Sequence, residues 1–220
     1  MTPKPEKLDH VALYVTDPEA IAARILAQLP FRVIEESDEF LLLGRDPDFG
    51  KLTLFRAEEP GSREPGPLRA VGVGVPAGTI ERTLHLDDGL RLELTPSDPT
   101  GEVEVDHVSL VVPDPAASAR RWLELGFQPA PKSSGGVLRV RIGDQYVGLY
   151  PGSPRPTDRP LLNHLGVLVP SFDDVRRSAD EEGLDVTRVV DAEHSRAVFV
   201  RGPDGVELEY IEHKASFALA

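Results

Sequence analysis

The chain has 220 residues, 40% hydrophobic and 28% charged, which is typical of a soluble globular protein with one large or two small domains. Its net charge of −13 argues against nucleic-acid and anionic-membrane partners, and no apolar run approaches the roughly 20 residues that span a bilayer. There is no signal-peptide core, so we expect a cytoplasmic protein, and there is no cysteine, so a metal site has to use His, Asp and Glu.

A ten-residue segment near the start of the chain recurs further along it. Residues 9–18 read DHVALYVTDP and residues 106–115 read DHVSLVVPDP, with seven of the ten positions identical. Weaker copies are NHLGVLVP at residues 163–170 and RAVGVGVP at residues 69–76. Each copy alternates with a period of two, which predicts a strand with one buried face. Four copies predict four similar structural modules.

The segments that follow these strands predict the rest of each module. Asp17 and Asp114, each followed by proline, are typical of helix N-caps, and Ser171 can cap a third helix. The second copy leaves no room for such a helix, while short strand-like runs follow the helix in the first, third and fourth modules. The sequence therefore predicts an α+β fold of four βαβββ-type modules, the second lacking most of its helix, that form two cup-shaped mixed sheets.

A Pro- and Ser-containing segment at residues 97–101 separates the first two modules from the last two. We place a domain boundary there. The prediction is a degenerate N-terminal module pair at residues 1–98 and a C-terminal pair at residues 102–215.

Three residues of the C-terminal pair predict a metal centre. His107 and His164 hold the same place in two copies of one strand, so they are expected to face one cavity. Glu209 lies in the last strand, on the face opposite Leu208. Two imidazoles and one carboxylate form a facial triad that leaves coordination positions open for a substrate. We therefore predict that His107, His164 and Glu209 bind one divalent metal ion.

The N-terminal pair has fewer potential ligands. His10 and Glu93 are the matching positions there, but Ala70 stands where the second histidine would be. We expect this pair to be free of metal, with His10 as a structural hydrogen-bonding residue.

Four further residues are candidates for substrate contact or catalysis. His194 lies in a polar loop before the strand that precedes Glu209, and its near-neutral pKa suits an acid or base; a plain exposed histidine is the alternative. Tyr146, Phe199 and Arg139 are candidate substrate-binding residues of the cavity wall, with ordinary sheet packing as the alternative for each.

The metal-ligand segments resemble motifs of the vicinal oxygen chelate superfamily, which includes glyoxalase I, bleomycin-resistance proteins and extradiol dioxygenases. The similar segments begin at Asp106 and Asn163 and cover residues 202–209, GPDGVELE. The two-domain layout resembles the type I extradiol dioxygenases, which implies a ferrous site at the three predicted ligands. Glyoxalase I has a fourth protein ligand in the last strand of the first module of a site, and residues 145–150 offer no acidic side chain.

The resemblance implies three competing functions. The first is a dioxygenase-like enzyme that uses Fe(II) on a small vicinal-oxygen substrate such as a catechol, with His194 as base. The second is a lyase or isomerase of the glyoxalase type that uses Zn(II), Mn(II) or Ni(II) without O₂. The third is a non-catalytic, resistance-type protein that binds a small molecule. A monomer and a homodimer both remain compatible with two fused module pairs.

Overall fold

The computed structural model describes residues 4–58, 61–96, 103–133 and 135–215. Its α-helices are α1 (Pro18–Leu26), α2 (Pro115–Glu124) and α3 (Phe172–Glu182). Asp17, Asp114 and Ser171 accept hydrogen bonds from backbone N–H groups of the first turns, as their sequence positions predict. Among the described residues, no helix combines the length and apolar character needed to cross a bilayer.

The strands follow the four-module pattern. In the first two modules they are β1 (Lys7–Val15), β2 (Arg32–Glu36), β3 (Phe40–Gly44), β4 (Lys51–Arg56), β5 (Leu68–Val75), β6 (Arg82–His85) and β7 (Arg91–Pro96). In the last two modules they are β8 (Glu104–Val112), β9 (Gln128–Pro129), β10 (Leu138–Ile142), β11 (Gln145–Pro151), β12 (Leu162–Leu168), β13 (Val186–Asp191), β14 (Ser195–Arg201) and β15 (Glu207–His213). The second module, within residues 61–96, contains only a short 3-10 turn at Asp87–Gly89 in addition to its strands. The predicted fold class is confirmed.

These strands form two mixed sheets. Each sheet combines one module of the predicted N-terminal pair with one module of the predicted C-terminal pair. The first sheet has the order β13-β14-β15-β12-β1-β4-β3-β2, and the second has the order β6-β7-β5-β8-β11-β10-β9. Antiparallel pairing of β1 with β12 joins the first module to the fourth, and pairing of β5 with β8 joins the second to the third.

This topology corrects the module pairs predicted at residues 1–98 and 102–215, because each sheet takes one module from each pair. The reason lies in the repeat itself: all four leading strands present a similar apolar face, so the pattern does not reveal which two pair at their edges. The predicted boundary at residues 97–101 lies outside the described residues.

Turn residues connect the modules that are neighbours along the chain. Asp88 accepts hydrogen bonds from the backbone N–H and the hydroxyl of Thr16, at 2.7 and 2.8 Å. Asp204 accepts one from the Ser118 hydroxyl on α2. Buried apolar side chains of all four modules form one continuous cluster. The two sheets therefore share a core, which fixes the position of each cup.

Candidate metal centre

His10, His164 and Glu209 converge in the cup of the first sheet. The two histidine Nε2 atoms lie 2.9 Å apart, and Glu209 Oε2 lies 3.2 Å from Nε2 of His10 and 3.0 Å from Nε2 of His164. All three residues are buried. Within the described ranges this is the one group of three or more such side chains whose ligand atoms lie close enough to hold a metal ion.

Strand register brings these side chains to one face. His10 on β1 is opposite Gly166 on β12, and Gly166 is opposite Glu209 on β15. His164 is two residues before Gly166 and so points to the same face. The glycine also leaves room for the imidazole, because a Cβ at position 166 would clash with the His10 ring.

The structure does not bring His107 to His164 and Glu209, which corrects the predicted ligand set. His107 lies on β8 in the second sheet, opposite Gly72, and its Nε2 is 3.8 Å from Glu93 Oε2. His10, expected to be only structural, takes its place, because β1 rather than β8 pairs with β12. Ala70 therefore leaves the cup of His107, and not that of His10, without a second histidine.

Asp9 orients His10 from behind. Its Oδ2 accepts a hydrogen bond of 2.6 Å from His10 Nδ1, which turns Nε2 towards the cup. Its Oδ1 lies 3.0 Å from Lys51 Nζ and 3.2 Å from His213 Nε2. Burial opposes ionisation of Asp9, but Lys51 and the two histidines outweigh it and hold the pKa of the carboxyl well below its usual range.

Charge in the cluster is divided between the three candidate ligands. Burial disfavours a charged His10, yet hydrogen bonds to Asp9 and Glu209 raise its pKa to about 9. Burial lowers the pKa of His164, whose neighbour His10 also disfavours a second positive charge. Burial acts to raise the pKa of Glu209, but the two histidines lower it to about 2. At neutral pH the Glu209 carboxylate is charged, His164 is neutral, and His10 is cationic and in contact with both.

This donor set fits a divalent metal ion. Three ligand atoms at about 2.1 Å from one ion and at right angles to each other would lie about 3 Å apart, and the observed separations are of that size. Neutral imidazole nitrogen and carboxylate oxygen are ligands for Fe(II), Mn(II), Zn(II) and Ni(II). Because a metal-ligating imidazole is neutral, binding of such an ion would displace the additional proton of His10.

A cavity of about 310 Å³ surrounds the cluster. Its walls are aromatic and charged, from Phe40, Phe55, Phe199, Glu35, Arg188 and His194. Phe199 is opposite Glu209 in the sheet and places its ring edge-on to His164, with 5.2 Å between ring centroids. The Arg188 guanidinium lies 3.9 Å from the centroid of the same ring. Phe199 and His194 thus line the cavity of the cluster.

Sequence reasoning missed several polar residues of this cavity, among them Lys51, Arg188 and His213. His213 had a usable signal, because it follows Glu209 at a spacing of four and so shares its face of β15. Lys51 had none, since only the three-dimensional pairing of β4 with β1 brings it next to Asp9.

Residues 104–210 match the family model of the glyoxalase/bleomycin resistance protein/dioxygenase superfamily. This part of the chain belongs to that superfamily. The matched part runs from β8 to β15 and includes two of the three clustered residues, His164 and Glu209. The third, His10, lies outside the matched part.

Solved structures have a similar fold over nearly the whole chain. A candidate dioxygenase from Bacillus subtilis subsp. subtilis str. 168 has a TM-score of 0.74 and 15% identity, covering 96% of this chain and 86% of that one. Glyoxalase I from Zea mays has a TM-score of 0.71 and 13% identity, covering 94% and 92%. The cppA protein from Streptococcus pneumoniae TIGR4 has a TM-score of 0.63 and 14% identity, covering 95% and 98%. At these identities the likeness establishes a shared fold. Among curated proteins, none matches the sequence.

Two of the predicted substrate-binding residues lie in the other cup, that of the second sheet. Tyr146 stacks on His107, with ring centroids 4.5 Å apart and planes within 6° of parallel. The Arg139 guanidinium lies 4.1 Å from the centroid of the Tyr146 ring. Both residues lie beside His107 in the second sheet and do not line the cavity of the clustered ligands. Their predicted role as substrate-binding residues of that cavity is therefore corrected.

Proposed function

We propose that the protein is a metal-dependent enzyme that acts on a small substrate with two neighbouring oxygen atoms, by dioxygenase-like ring cleavage of a catechol. The observation that carries this proposal is the cluster of His10, His164 and Glu209. Two histidines and one carboxylate with open positions are the donor set of non-haem Fe(II) oxygenases. Fe(II) is therefore the metal we favour, with Mn(II), Zn(II) and Ni(II) as alternatives.

The number of protein ligands supports a reaction that needs open positions. In glyoxalase I the fourth protein ligand comes from the last strand of the first module of a site, and β4 is the corresponding strand of this cup. Glyoxalase I chemistry would therefore require a ligand on β4. The side chains of β4 that line the cavity are Lys51, Thr53 and Phe55, and none is acidic. Three protein ligands leave more of the coordination sphere to the substrate.

The cavity walls suit a flat aromatic substrate. Phe40, Phe55 and Phe199 offer apolar surface that would hold a ring and exclude water beside the ligand cluster. His194, at the same cavity with a side chain 40% exposed, would accept a proton from a substrate hydroxyl and pass it to solvent. When bound, the metal ion would supply the Lewis acidity and redox chemistry that cleavage by O₂ requires.

Metal stoichiometry tests the cluster with a matched pair of variants. The wild-type protein should bind one equivalent of Fe(II) or Zn(II) per chain, His10→Ala should lose it, and His107→Ala should keep it. Both substitutions remove a buried histidine that follows an aspartate, so folding effects are comparable. Loss of the metal in His107→Ala together with its retention in His10→Ala would overturn the proposed ligand set.

Activity is tested separately from metal binding. Protein reconstituted with Fe(II) under nitrogen and then mixed with a panel of catechols and air should consume O₂ and form a yellow ring-fission product. His194→Gln should lower kcat while leaving the iron content unchanged. Iron-loaded protein that gives neither colour nor O₂ uptake on any catechol would rule against ring cleavage.

A lyase or isomerase reaction is the second candidate. The fold shared with glyoxalase I from Zea mays over most of both chains favours it, as does the presence of His194 and Glu35 beside the cluster as proton carriers. Turnover under nitrogen with Zn(II), Mn(II) or Ni(II) would select this reaction. Ligand binding that survives His164→Ala, without turnover under either condition, would instead select a binding protein.

A further inference from the structure

A second cavity lies at one end of the second sheet. It has a volume of about 700 Å³ and is formed where β5 and β7 begin, next to the connector that follows β11. Its charged lining residues are Glu64, Arg69, His85, Arg91 and Arg155. The chain as a whole has 37 acidic and 24 basic residues, so a cavity with three arginines and one carboxylate among its described lining residues departs from the rest of the molecule.

Arg69 is held in place by Tyr150 and Glu93 of the second sheet. The Arg69 guanidinium lies 4.3 Å from the centroid of the Tyr150 ring and 3.9 Å from Glu93 Oε1. Stacking on an aromatic ring fixes the plane of a guanidinium and leaves its N–H groups directed outward. Arg69 is thereby prepared to donate hydrogen bonds at the cavity.

Arg91 and Arg155 are the other two arginines of the cavity, and within the described ranges only Arg91 interacts with a carboxylate, that of Glu93, at longer range. Arg91 on β7 is directly opposite His85 on β6, whose ring N–H is a further hydrogen-bond donor at the cavity. Among the described residues, no carboxylate lies within ion-pair distance of Arg91 or of Arg155. An anion in the cavity would accept hydrogen bonds from several of these N–H donors at once.

The remaining wall limits the size and character of the occupant. Gly66 and Gly89 line the cavity with backbone alone, and their positive φ values of 57° and 73° favour glycine there. Leu68, Leu90 and Val111 add an apolar side. The volume matches a small organic molecule.

We infer that this cavity binds a small organic anion with two or more phosphate or carboxylate groups, held by Arg69, Arg91 and Arg155. The site lies in the sheet that does not hold the ligand cluster, so it is independent of the proposed reaction. Because phosphate and carboxylate share the bidentate geometry that guanidinium recognises, both are probes of the same chemistry.

Calorimetric titration of EDTA-treated His164→Ala protein with pyrophosphate and with citrate tests the site without metal chelation at the other cup. One saturable equivalent is expected, and the probe that binds more tightly identifies the oxyanion type. Arg91→Gln and Arg155→Gln should each weaken binding by about tenfold, the effect of one lost charge-assisted hydrogen bond. Both side chains are exposed, so folding should be unaffected.

The matched control is Arg120→Gln, which removes the same charge from an exposed position on α2 outside the cavity. Its affinity for both probes should equal that of the parent protein. No saturable binding of either anion, or equal weakening by Arg120→Gln and the cavity variants, would overturn the inference.

Discussion

Asp9 supports the candidate metal centre through its contacts with His10 and Lys51. It fixes His10 through Nδ1 and at the same time neutralises Lys51, whose side chain is only 3% exposed. Partners of this kind typically change metal affinity by about 10- to 100-fold. Asp9→Asn should therefore weaken Zn(II) binding by about that factor, measured by competition with a chromophoric chelator.

Asp106→Asn is the matched control for this change. Asp106 contacts His107 Nδ1 at 2.5 Å in the second cup, so it repeats the local geometry without a metal cluster. Its loss should leave Zn(II) affinity unchanged. Asp9→Asn also removes the carboxylate that balances the charge of buried Lys51, at a cost of about 3–5 kcal/mol of folding stability. Adding Lys51→Met should restore the melting temperature but not the metal affinity, and recovery of affinity would show that Asp9 acts only on stability.

At the scale of elements, the antiparallel pairing of β1 with β12 decides whether the cluster can form. His10 packs its ring over Gly166, and His107 packs over Gly72 in the same way. Gly166→Ala should displace the His10 ring and reduce metal binding at least about tenfold, since misplaced ligands lose coordination. Gly72→Ala should displace His107 and leave the metal stoichiometry at one. Metal titration of the two variants measures the difference, and equal losses would contradict the assignment of the two cups.

Individual elements were within reach of sequence reasoning, because their signals are local. The strand faces followed from period-two alternation, and the helix starts followed from Asp17, Asp114 and Ser171. The missing helix of the second module followed from its short span. Glu209, Phe199 and His194 could be assigned to one cavity because they lie in one module, where hairpin register is short-range.

The histidine partner could not be assigned in this way. Asp9-His10-Val and Asp106-His107-Val are the same tripeptide, so nothing local tells them apart. The distinction lies in which leading strand pairs with β12, a contact between residues more than 150 positions apart. Ala70 showed that one cup lacks a ligand, but only the sheet order identifies His107 as the histidine that shares its cup. Tyr146 and Arg139 were misplaced by the same error.

At the scale of the whole molecule, the two cups place their candidate ligands at corresponding strand positions. His10, His164 and Glu209 correspond in register to His107, Ala70 and Glu93. The residue before the missing histidine is Arg69 in place of Asn163, and its guanidinium reaches Glu93. A positive charge thus stands beside the carboxylate of each cup, from an arginine in one and, in our proposal, from a metal ion in the other.

This correspondence predicts that a second metal site can be restored. Arg69→Asn combined with Ala70→His reproduces the Asn163-His164 pair in the second cup, beside His107 and Glu93. The double variant should bind two equivalents of Zn(II) per chain where the wild-type protein binds one. Adding His107→Ala should remove the second equivalent only, and adding His10→Ala should remove the first only. A stoichiometry that stays at one in the folded double variant would mean that the second cup has diverged in its backbone as well as in its side chains.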